Sequence, residues 1–579
     1  MVQAGTRLSR HTEPIRDERT RHLCAAAHLS RDFADAALRE LLVEPTRAVP
    51  TTTDVDASAV LTEALAARMR TNVVDVLVLL ALGASLYFAQ AMTVLWIFVA
   101  VVLSLPKLIR LWHEVRARRG TGHPIHPIRL AISSITVLLA IWAVTSTFGL
   151  GVVLTLLNPF DEDDPVDIVL ALIAFMLEEA HTEAAGYPLL AAALLVLLVN
   201  RLIVAHHVTL RFGPSRHNAP PPVDRVLLRL APRLAERIRE RHRGVVRVAP
   251  DASEQDDLVP LLVYRGYKPF VGAGDIHEPW TVAVPLERRP DAPRTDLALD
   301  TARLLEGITA KVTGLRAASP LAPSARLGAL TADDCVIVTA QGLVDHLSDV
   351  VSAHYLRRPD QPPYTHVTRA HADLLRDHPL EWSRFYRRFT LDTWDNDLVV
   401  SVFVHVAMDD STLYLEWTTC VLRPVSAELK VVDAESASPW VPVGRALKDL
   451  VLMPASAVSR VVRLITHPRA HARRGGRVDA DRYGSLMTLR EMAADTELHA
   501  YFQQADVERY TRLLRSRVTL AVSEILREAG FHTASFDRQA QSIVNTVNTI
   551  NTVTVADGGT VAGPVLQGGS LTGDVDITG

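Results

Sequence analysis

The sequence predicts an α-helical transmembrane region joined to a cytoplasmic α+β domain and followed by a short β-prone repeat tail. Three observations carry that expectation. Mean hydropathy is +0.15 although 22% of the residues are charged, so the apolar residues are concentrated, and they gather between Val73 and Val208. Beyond them, apolar runs of strand length alternate with a helical pattern. The last forty residues change character: after Arg538 there is no Lys or Arg, and Asn, Thr and Gly dominate.

Taken in order, residues 1–71 read as a helical N-terminal region. Met1 to Arg47 is polar and Arg-rich without an apolar leader segment, and Arg21 to Val43 has helical periodicity. Residues 72–210 form the membrane region. The run from Val73 to Leu105 would reach ~50 Å as one helix, against about 30 Å of hydrocarbon, so a hairpin turning near Gln90 is expected. A second run covers Arg129–Leu157, and a third resumes from Tyr187 to Val208 after Glu178, Glu179 and Glu183; residues 166–177 are too short to span and read as interfacial. Lys107, Arg110, Arg116, Arg118, Arg119 and Arg129 assign that connection to the cytoplasm, whereas Asp161 to Asp167 carries no basic residue. Four spans place every basic segment on one side, giving a multi-pass inner (cytoplasmic) membrane protein with both termini cytoplasmic. Asp75, one turn from the boundary, is expected to reach interfacial water rather than to act within the bilayer.

Residues 211–257 read as a linker, Pro214 to Val223, followed by an Arg-rich amphipathic helix over 225–243 kinked at Pro232; it suits a membrane surface or its own domain equally. In the α+β domain, residues 258–480, strands are expected at 261–264, 281–285, 335–338, 398–406 and 413–422. The last two are joined as a hairpin across 408–412. A helix is expected at 301–315, and 443–465 either lies on or near the inner membrane surface or packs as a helix pair within the body. Residues 481–538 read as largely helical, stopping at Gly530.

The balance of 61 basic to 65 acidic residues leaves no nucleic-acid footprint. Cys24, Cys335 and Cys420 are too scattered for a disulfide scaffold or a cysteine zinc site and read as small core residues. Val271-Gly-Ala-Gly274 lacks the third glycine, lysine and hydroxyl of a phosphate loop and reads as a turn. Pro468 separates His467 from His471, and Pro124 separates His123 from His126, which removes both as metal pairs. No catalytic residue, cofactor or metal ligand is assigned.

The tail holds the one repeat. Asn545 to Val553 has a three-residue rhythm of Asn, Thr and an aliphatic residue, and two decapeptides then align: Gly558, Gly559, Val561, Gly563 and Val565 with Gly568, Gly569, Leu571, Gly573 and Val575, closing on Gln567 and Ile577. Short β-prone stretches between glycine turns can stack as rungs, and two rungs bury too little to stand alone, so the rungs of other chains would complete the stack; Pro564 and the glycines suit a flexible polar tail equally. With Gly563-Pro-Val-Leu-Gln567 as core, the tail resembles the amyloid-type signalling motifs at the C-termini of bacterial immune and cell-death effectors. Residues 21–43, Lys268 to Gly274 with Trp280, and Tyr483 to Glu491 resemble uncharacterised actinobacterial membrane proteins, a family that brings no activity.

The expected partners are the lipid bilayer and, through the tail, further copies of the chain as a homo-oligomer. The expected role is a membrane-anchored signalling or cell-death/immune effector. The alternative is a membrane enzyme or transporter whose site is assembled from dispersed residues.

Overall fold

The computed structural model describes residues 7–8, 18–50, 55–118, 186–213, 225–242, 245–249, 257–290, 299–395, 397–430, 440–465 and 479–541. Helices α1 (Glu18–Leu29) and α2 (Arg31–Leu38) meet at Ser30, whose extended backbone ends the first and whose Oγ accepts from Phe33 N–H to cap the second. The alanines of α1 are buried almost all round, so its small side chains serve close packing rather than an amphipathic surface.

Helix α3 (Ala57–Phe88) starts at Asp56, whose carboxylate caps Ala59 N–H, and runs unbroken from a polar first half into the apolar run. It ends at Ala89, where φ −147° and ψ 71° leave the helical region. Helix α4 (Gln90–Arg118) then turns back, as the hairpin expectation required. Helix α5 (Gly186–Phe212) packs on α3 through Ala193 and Leu197 against Val74 and Val78. A Cβ on Gly186 would sit 2.2 Å from Met92 Sδ, so glycine lets α5 start against the hairpin tip.

Of the described helices, α3 and α5 are long and apolar enough to cross a membrane; the apolar part of α4, Gln90–Ser104, is shorter. The runs at 129–157 and 166–177 lie outside the described residues, so the described chain carries two such helices rather than four. Residues 225–228 form one short helical turn, the helix breaks at 229–231, and α6 (Pro232–Arg241) restarts at Pro232, whose missing N–H costs nothing there, so the break falls where the kink was expected. Leu234 and Ile238 join the core of α1–α3, and Arg237 donates to the carbonyls of Leu42 and Val43, so α6 packs on protein.

The α+β body follows. Its elements are β1 (Leu258–Tyr264), β2 (Asp275–Pro285), α7 (Thr301–Thr313), β3 (Thr331–Thr339), α8 (Ala340–Asp345), β4 (His366–Thr368), α9 (Arg369–Asp377), β5 (Ser383–Thr393), β6 (Leu398–Met408) and β7 (Thr412–Leu422). Helices α10 (Trp440–Val451), α11 (Met453–Ile465) and α12 (Tyr501–Glu528) complete the description. One seven-stranded sheet has the order β2-β7-β6-β5-β3-β1-β4, antiparallel except for the β1/β3 pair. All five expected strands are present. Strand β5 escapes the sequence pattern because Arg384, Arg387 and Arg388 interrupt its apolar residues, although Phe385, Phe389 and Leu391 alternate into the core.

One face of the sheet packs under α7 and α12, with Trp417, Phe385, Phe389, Leu304, Ile308, Tyr510 and Leu514 fully enclosed. A smaller cluster on the other face, Phe270, Cys335, Ile337, Tyr386, Phe403 and Cys420, lies under the 265–274 loop, and all three cysteines are buried and free. Residues 485–488 are extended rather than helical: Ser485 N–H donates to Val263 O, and Ser485 O accepts from Arg265 N–H at 3.1 Å. Gly530, at φ +84°, closes α12 as expected.

Candidate functional site

The charged side chains that the sequence left scattered converge where α1, α2, α3, α5 and α11 meet, at the polar end of the apolar helices. Three centres lie one above another along α3. At the lowest, Glu63 meets His28 Nε2 at 2.8 Å and His207 Nε2 at 3.6 Å, joining three helices. Burial drives the His28 pKa down to about 4, overriding the hydrogen bond to Glu63 that opposes it, so His28 is neutral and donates from Nε2. The three ligand atoms lie within 4.8 Å of one another, a spacing that suits zinc. The surroundings do not. Arg211 holds His207 Nε2 at 2.7 Å, placing a guanidinium at the atom a metal would need, and buried His28 Nδ1 has no hydrogen-bond partner to orient the ring. The cluster is a hydrogen-bonded clamp.

One turn further along α3, Arg68 pairs with Asp35 at 2.8 Å and donates to Arg463 O. Two turns beyond that sits Asp75, which corrects the expectation of an interfacial carboxylate. It is 1% exposed and bound by Arg460, with Arg463 at 3.8 Å and Arg31 at 4.0 Å. The partner helix is α11, from the 443–465 segment. Ala446 and Met453 pack it and α10 against Val74, Val78, Ala193 and Leu197, while Arg201 binds Asp449. The segment packs against the apolar helices and not within the α+β body, which corrects the second of the two readings.

The body is tied to this base by a second carboxylate hub. Glu40 takes Arg47 at 3.1 Å, Arg265 at 2.5 Å and the backbone N–H of Leu486 at 2.9 Å. The 271–274 segment is a turn, as expected, and its amide is occupied from within: Gly274 N–H donates to Glu491 Oε1 at 3.0 Å. Glu491 also closes a capping box with Thr488, and burial raises its pKa. The segments 268–274 and 483–491, noted separately in the sequence, therefore form one contact.

Sequence reasoning singled out Asp75 but not Glu63, His28, His207, Asp35 or Arg460. The available signal was the presence of ionisable residues on the faces of Ala- and Leu-rich helices, where burial demands a partner. The tail residues Gly558, Gly559, Val561, Gly563, Val565, Gln567, Gly568, Gly569, Leu571, Gly573, Val575 and Ile577 lie outside the described residues, as do His123, His126, His467 and His471.

Fold and site together define an α+β body seated on a charged helical base that continues into apolar helices. An AbeC-like domain covers residues 279–563 by its family model, from within β2 through α12 and into the tail. No curated protein and no solved structure matches the chain.

Proposed function

We propose that this is a membrane-anchored, non-catalytic effector: α3 and α5 hold the AbeC-like body at the bilayer surface, and the tail gathers copies of it. The anchor rests on one observation. Only 22% of the apolar window of α3 and 17% of that of α5 is buried, whereas a soluble protein's core helix would be enclosed. The uncovered side chains include Leu80, 64% exposed, and Leu195, 59% exposed, with Tyr87 and Phe88 at the hairpin tip. Hydrocarbon is the solvent that makes such a surface favourable, at ~25 cal/mol per Å² removed from water. Ion pairs concentrate at the other end of the same helices, where the bilayer would give way to headgroups.

Alkaline carbonate extraction of membranes tests the anchor. The full chain should stay in the pellet, and full release into the supernatant refutes it. Assembly rests on the decapeptide repeat and its resemblance to signalling motifs. A 539–579 peptide should form β-rich assemblies on which the full chain nucleates; a peptide that stays monomeric and unstructured at high concentration removes that part. Deleting the tail should abolish any effect of the protein on cell viability, whereas a membrane enzyme would keep its activity.

A further inference from the structure

Between the His28 clamp and the Asp75 hub lies a cavity of about 140 Å³, equivalent to roughly five waters at ~30 Å³ each. Its walls come from the α1–α2 junction, α3 and α5, and they include four guanidinium-bearing residues, Arg31, Arg68, Arg70 and Arg201, with Asn200 and a single carboxylate, Asp35. We infer that this cavity binds a phosphate group, carried by an anionic phospholipid headgroup or free in solution.

Charge is the first argument. Two of the four arginines are paired, Arg68 with Asp35 and Arg201 with Asp449, and the surplus positive charge lies at Asp75, one carboxylate shared by Arg31, Arg460 and Arg463. Arg31 reaches Asp75 only at 4.0 Å, so its charge is the least compensated of those with a named pair. Burial lowers the Arg31 pKa to about 10 against the opposing pull of Asp75, and the charges of Arg460, Arg463 and Arg201 add to the fall, which a bound anion would reverse. Guanidinium groups match phosphate oxygens in geometry as well as charge.

Position is the second argument, and for the lipid source it rests on the anchor proposed above. Arg68, Arg70, Asn200 and Arg201 lie where α3 and α5 pass from apolar to polar sequence, the level at which a basic pocket between helices meets headgroup phosphates. Asp35 Oδ1 is buried without a hydrogen-bond partner, and a headgroup hydroxyl next to the phosphate would supply the missing donor. Phosphatidylglycerol has both groups.

The test uses the full chain purified in neutral detergent. Native mass spectrometry after exposure to phosphatidylglycerol or phosphatidylcholine should show one retained phosphatidylglycerol, at least tenfold favoured over phosphatidylcholine. Arg31→Gln, which removes the least compensated charge, and Ala34→Leu, which fills the cavity and keeps every charge, should each cut retention at least fivefold. Arg239→Gln, on α6 and outside the lining, should not change it. Inorganic phosphate is the second arm: an Arg31-dependent rise in melting temperature without lipid retention makes free phosphate the source. Equal retention of both lipids, or retention indifferent to Arg31→Gln and Ala34→Leu, together with no Arg31-dependent phosphate shift, overturns the site. Carbonate extraction separates the two readings: a chain that resists extraction yet binds neither probe keeps its anchor and loses the site. A chain that is extracted yet shows the phosphate shift loses the anchor and keeps the site.

Discussion

Replacing Arg460 by Leu tests whether the ion pairs at the base hold the helices together. Arg460 is 4% exposed and Asp75 1%, so the substitution removes the nearest counter-charge of a carboxylate that water cannot reach. Breaking a buried pair from one side costs about 3–5 kcal/mol. Arg463 at 3.8 Å and Arg31 at 4.0 Å remain as partial compensation, which places the expected loss near the lower end, about 3 kcal/mol. At roughly 2–4 °C per kcal/mol for a domain of this size class, the melting temperature should fall by about 6–12 °C. Tryptophan fluorescence of the full chain in detergent reads the transition, because Trp96 Nε1 donates to Leu450 O near the end of α10 and loses that contact when the base unfolds. The double variant Asp75→Leu/Arg460→Leu should lose less than the sum of the two single changes, since neither charge is then left alone. Single variants that melt within 1 °C of the native chain, or a double variant equal to the sum, would refute the reasoning.

Acid should loosen the base. His242 Nε2 donates to Leu41 O at 3.0 Å, and burial followed by the Arg241 charge lowers its pKa from the usual 6.5 to about 3, while His28 falls to about 4. The unfolded chain takes up these protons below pH 6.5 and the folded chain does not, so this stability is complete above pH 6.5 and drains as pH falls toward 3. At pH 4.5 His242 alone accounts for about 2–3 kcal/mol, and His242→Asn should flatten the melting temperature against pH between 6.5 and 4. Gly274 has φ +90°, and a Cβ there would lie 2.2 Å from Val421 O, so Gly274→Ala should cost about 2 kcal/mol or more, seen as lost soluble body and a lower melting temperature. Trp417 is wholly buried and stacks on Trp280 across β2 and β7; Trp417→Ala should cost about 3–5 kcal/mol in the same assay.

What was legible in the sequence was whatever follows from local pattern. The hairpin at Ala89 could be placed because 33 apolar residues exceed the thickness of hydrocarbon. The β6–β7 hairpin could be placed because a continuous apolar run and an alternating one flank Asp409-Asp-Ser411, whose leading carboxylate caps the turn by accepting from Ser411 and Thr412 N–H. The Gly530 stop of α12 follows from a single residue whose chemistry suits one backbone position. Strand β5 shows the limit of pattern: its arginines mimic a solvated face, yet Arg387 is held by Asp334 of the adjacent strand and by Thr309 of α7.

The sequence by itself determined that oily helices precede an α+β body, because hydropathy and side-chain period are properties of neighbours along the chain. Only the tertiary structure decided what the ionisable residues do. Asp75 and Arg460 are 385 positions apart, and Glu63 and His207 are brought together only when α3 and α5 pack. A charge's partner is set by distance in space, which falls off too steeply for sequence separation to stand in for it, so the base, its clamp and its arginine-lined cavity appear only once the helices are packed.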